Sequence, residues 1–87
     1  MTTSTHTTKR TERAEHLPLS NLNYDLVTVL QNKLEAVAAY ETYLQDCKAA
    51  GNAECQALVA DLKRDDERHV ERLRAELERL VKAGQFH

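Results

Sequence analysis

The sequence is poor in the residues that build turns: among 87 residues there are two glycines and one proline, with no tryptophan and an aromatic fraction of 5%. A fold of many short strands needs a turn for each reversal, so this scarcity excludes one and leaves long helices. Cysteine is equally sparse. Cys47 and Cys55 are the only two, too few for a disulfide scaffold, and too little His or Cys lies nearby for a zinc site. They are expected to be reduced and mostly buried, although they flank a turn where a bridge is sterically conceivable. No apolar run is long enough to cross a bilayer, and no charged start followed by an apolar segment reads as a secretory leader. No membrane partner and a cytoplasmic location are therefore expected. Excess charge is missing too: the formal net charge is −2, without the basic face of a nucleic-acid binder, so no nucleic-acid partner is expected. No nucleophile with its base, phosphate-cradling loop or cofactor fingerprint is present.

What is present is a helix-forming mixture, 41% hydrophobic and 30% charged. A chain of this size makes a hydrophobic core that is marginal unless something supplements it. Residues 1–20, beginning MTTSTHTTKRTERAEHLPL, are rich in Thr and charge and interrupted by Pro18; they read as a disordered tail in which His6 and His16 are solvated. Ser20, Asn21 and Asn23 offer capping acceptors and Asp25 adds negative charge, so a first helix is predicted to begin at residues 21–24. AAGNAE ends it, with Gly51 taking the left-handed conformation. A second helix is predicted from Ala53 to Ala83, stopped by Gly84. Residues 21–87 thus form an antiparallel hairpin in an all-α fold.

Leu26, Leu30, Lys33, Val37, Tyr40, Leu44 and Cys47 recur in alternating steps of four and three, a heptad seam with a lysine in its middle. Cys55, Val59, Leu62, Asp66, His69, Leu73, Glu76 and Leu80 continue the rule on the second helix, interrupted by Asp66 and His69. Counted outward from the turn, Lys33 stands level with His69, and Asp66 lies one turn closer to the reversal. A polar layer is therefore expected in the seam. Leu34, Leu58, Val70 and Leu77 widen the apolar stripe beyond what two helices cover, which predicts a homodimer, or a higher oligomer, closing a four-helix bundle. The KRDDER run reads as a solvated face, with Asp61 and Asp65 opposed by Lys63 and Arg64. Glu35 and Glu41 fall off the seam, as surface charges.

A carboxylate and an imidazole three residues apart on a core-facing edge can reach one cation, so Asp66 and His69 are the candidate metal ligands. On KLEAVAAY in the first helix and DDERH in the second, the sequence resembles the ferritin-like superfamily, especially rubrerythrin-type proteins and encapsulated half-ferritins. That resemblance covers roughly residues 22–80. It implies a helix-one glutamate one heptad before a tyrosine, a Glu-x-x-His on helix two, and iron or another divalent metal as cofactor. Tyr40 matches the tyrosine and His69 the histidine, Asp66 replaces the second glutamate, and Lys33 stands at the first. An ammonium at Lys33 can pair with Asp66, so the expected layer of Lys33, Tyr40, Asp66 and His69 is ionic, with a weak metal site or none. Three functions follow as expectations. The first is a structural or metal-binding accessory protein of ferritin-like form; the second is a di-iron ferroxidase, which Lys33 disfavours. The third is a helical protein-interaction module. No residue is assigned as catalytic.

Overall fold

The computed structural model describes residues 18–87 as two helices, α1 (Asn21–Ala49) and α2 (Ala53–Lys82), with no strand among the described residues. The expected tail lies outside them except for residues 18–20, which lead into α1. No helix among the described residues is long and apolar enough to cross a membrane.

Caps and left-handed glycines set both helix ends. Ser20 is extended and its Oγ accepts a hydrogen bond from the Asn23 amide at 3.3 Å, so α1 starts within the predicted window. Asp25 lies beyond the first turn of α1, which contains no acidic residue, so it contributes little to the helix dipole there. At the other end Gly51 has φ +68°. Its N–H reaches the Lys48 carbonyl at 3.0 Å and the Asn52 N–H reaches Cys47 at 3.1 Å, the paired bonds of a Schellman motif. Asn52 then begins α2, its Oδ1 accepting from the Cys55 amide at 3.0 Å. One residue closes the first helix and opens the second. Gly84, at φ +70°, repeats the motif: its N–H reaches Val81 at 3.1 Å, and the Gln85 N–H reaches Leu80 at 2.8 Å.

Beyond Gly84 the chain returns to the start of α1. The Ser20 N–H donates to the His87 carbonyl at 2.8 Å, and Asn23 Nδ2 donates to the carbonyls of Gln85 and His87, each at 3.0 Å. Asn23, expected to serve as a capping acceptor, is instead a buried clasp only 2% exposed. Its Oδ1 has no partner among the described residues.

The two helices divide the polar work unequally. α2 is strongly amphipathic and carries a ladder of ion pairs on its outer side: Asp61 with Arg64, Asp65 with Arg68, Glu71 with Arg74, Glu76 with Arg79, and Glu78 with Arg74 and Lys82. The pairing runs at i,i+3 and i,i+4, because these residues share a face; Asp61 and Asp65 therefore meet Arg64 and Arg68, not Lys63. Helix α1 spreads its apolar residues well beyond the seam. Both cysteines are free, but Cys55 is exposed and Cys47 half-buried, short of the burial expected for them. Leu80, 4% exposed, is the one buried apolar residue among those described.

Candidate functional site

Lys33 and Tyr40 lie two turns apart along the α1 seam, and α2 places Asp66 at the height between them. Lys33 Nζ donates to Asp66 Oδ1 at 2.8 Å, and the Tyr40 hydroxyl donates to Oδ2 at 2.8 Å. One carboxylate thus ties two turns of α1 to the middle of α2. The Asp66 side chain is 13% exposed and Lys33 33%, so the pair is shielded on one side and wetted on the other. His69, three residues on, brings Nδ1 to 3.4 Å from Asp66 Oδ1. This is a long ion-pair contact, short of a well-formed hydrogen bond, and it adds to the groups that hold the Asp66 carboxyl down. The rest of the imidazole stays half-exposed in an open groove with Leu26, Val29, Lys33, Leu73 and Glu76. The Tyr40 ring meets Tyr43 edge-on, centroids 5.9 Å apart.

Electrostatics follows from these contacts. The Lys33 hydrogen bond first, then that of Tyr40, holds the Asp66 carboxyl below its ordinary value against the opposing cost of desolvation. The same bond pushes the Tyr40 phenol up, since losing its proton would set a phenolate against a carboxylate. The layer holds a paired cation and anion and a phenol that resists deprotonation.

All four residues expected in the polar layer are therefore neighbours. Whether Asp66 and His69 suit a metal is decided by their other contacts. Both oxygens of Asp66 already accept from protein donors, one of them an ammonium, and a divalent ion would have to displace that positive charge. Among the described residues, no group of three or more His, Cys, Asp and Glu side chains is placed to hold a metal ion. The residues present do not fit iron or another divalent metal in this hairpin. Glu35, on the exposed side of α1, bonds only Gln31 among the contacts described, at 3.4 Å, and does not reach the layer.

The Asn23 clasp is the feature that sequence reasoning missed. Its signal is weak, because an asparagine in the first turn of a helix reads as a cap, and its partners are backbone carbonyls 62 and 64 residues away. Compared with known proteins, the chain matches no family model, no curated protein and no solved structure.

Proposed function

We propose that this chain is a self-associating helical-bundle protein of ferritin-like form with a structural or accessory role, in which a second copy covers the hairpin and an ionic layer stands at its middle. The observation that carries the reading is the uncovered apolar surface. Leu22, Leu34, Leu58 and Val81 are 61%, 49%, 57% and 59% exposed. By helical periodicity Val29 and Tyr43 lie on one flank of the α1 seam and Val27 and Leu34 on the other, and all four are exposed. A helix apolar on so wide an arc is suited to burial on more sides than α2 can supply. Fully burying one such leucine is worth about 1.5–3 kcal/mol, so a second copy has ample driving force. The Lys33–Asp66 pair supports a structural role over a ferroxidase one, since it fills the layer with charge the protein itself supplies.

Mass measurement in solution across a dilution series tests the reading. A dimer or larger assembly that dissociates only at low concentration is expected. A monomer at every concentration would defeat it and leave the same surface to an unrelated helical partner.

A further inference from the structure

Resting on the self-association proposed above, we infer that the second copy docks on the flank of the hairpin that carries Val27 and Leu34. The two copies lie in the same direction with both turns at one end, and Glu41 of each faces Lys63 of the other.

Four rows cross this flank. Val27, Leu34, Glu41 and Lys48 follow one another on α1 at seven-residue steps, and on α2 so do Gln56, Lys63, Val70 and Leu77. A heptad step drifts only about 20° around a straight helix, so each set keeps to one side of its helix. Both sides belong to one face of the hairpin, because Gln56 shares a shallow hollow with Glu41, Gln45 and Lys48. Asp66, tied to Lys33 and Tyr40, fixes the heights. Lys63 stands about one turn nearer the reversal than Asp66, at the level of Glu41, and the other pairs follow at intervals of about 10 Å. Val27 with Leu77 and Leu34 with Val70 make two apolar rows towards the open end. Glu41 with Lys63 and Lys48 with Gln56 make two polar rows towards the turn.

This grading decides how a second copy fits. A two-fold axis parallel to the helices lays α1 of one copy on α2 of the other at unchanged height, so Leu34 meets the partner's Val70 and Glu41 meets the partner's Lys63. Each row then covers its like. A two-fold axis across the helices reverses the heights instead, and sets Leu34 against a carboxylate, whose burial without a partner is costly. Val27 and Leu34 are exposed in the single hairpin, and Glu41 and Lys63 have no ion-pair partner among the described residues, although most other charges on α2 are paired. The parallel arrangement supplies what each of them lacks. It also gives every helix antiparallel neighbours, so that the helix dipoles oppose one another.

Mixing charge-reversed chains tests the contact. Glu41→Lys and Lys63→Glu change groups that hold no ion pair within one hairpin, so the fold of each variant should be undisturbed. Alone, either variant sets like charges against each other at both contacts of the dimer, and sedimentation at low salt is expected to show association weakened roughly tenfold. Mixed in equal amounts, one chain brings lysine and the other glutamate to every contact. A heteromer about as stable as the unaltered assembly is expected, with the difference from the separate variants narrowing in concentrated salt. A pair within one chain could not give this rescue, since each variant keeps its own like charges. If the unaltered chain associates but the variants associate equally well, or gain nothing on mixing, the docking face and direction are wrong while self-association stands. If the unaltered chain is a monomer at every concentration, both are overturned.

Discussion

Asp66 is a single carboxylate on which three side chains depend, and its consequences are read best in pH. Its folded pKa is depressed by Lys33 and Tyr40, so its contribution to stability is fully present above the ordinary carboxylate value of about 3.9. That contribution is lost as pH falls through the lower folded value. Tyr40 behaves in the opposite sense. Its raised pKa means that its contribution is present below about pH 10 and fades as pH rises through the folded value. Asp66→Asn is expected to cost about 1–3 kcal/mol near neutral pH, measured by urea unfolding, and the gap from the unaltered chain should close in acid. Much of this layer is legible from residue spacing, because heptad phase alone puts Lys33, Tyr40, Asp66 and His69 on facing edges. The pairing within it is not legible. Spacing cannot say that Oδ1 goes to lysine and Oδ2 to tyrosine, or that the imidazole nitrogen comes no closer than 3.4 Å to Oδ1.

Two glycines and two asparagines govern the elements. Gly51 sits at φ +68° with no atom within 4 Å of the place a Cβ would take, so a substitution there meets backbone strain alone. Gly51→Ala should lower stability by about 1 kcal/mol without disturbing neighbouring packing, a difference that denaturant unfolding resolves. Turn and stop are readable in advance for this reason: glycine is the residue that adopts the left-handed conformation at little cost. The open end of the hairpin behaves differently. Asn23→Ala removes both side-chain bonds to residues 85 and 87 and should cost about 1–3 kcal/mol. Hydrogen exchange would report it as faster exchange at the Ser20 amide, which bonds His87, while the turn at Gly51 keeps its protection. This clasp joins the first turn of α1 to the segment after α2, and local periodicity carries no information about contacts of that span.

As a whole molecule the hairpin is rich in helix and poor in core. Its outward ion pairs on α2 are exposed and worth little individually, so they keep the surface wet without holding the helices together. Apolar burial has to do that work, and within one hairpin it is incomplete. Leu34→Lys and Leu58→Lys replace side chains 49% and 57% exposed in the hairpin, where such changes alone would cost little. If a second copy covers them, each should raise the concentration at which the assembly half-dissociates by roughly ten- to a hundredfold, equivalent to about 1.5–3 kcal/mol, as read by sedimentation or light scattering. Helix number, helix ends and the faces that carry the polar layer are consequences of residue order, since a rise of about 1.5 Å and 100° per residue fixes which side chains share an edge. The partner of each Asp66 oxygen and the burial of Asn23 are set only when the two helices close. The Asp66 and Asn23 contacts depend on differences of a few tenths of an ångström between residues far apart in the chain, and periodicity specifies direction along a helix but not distance across a gap.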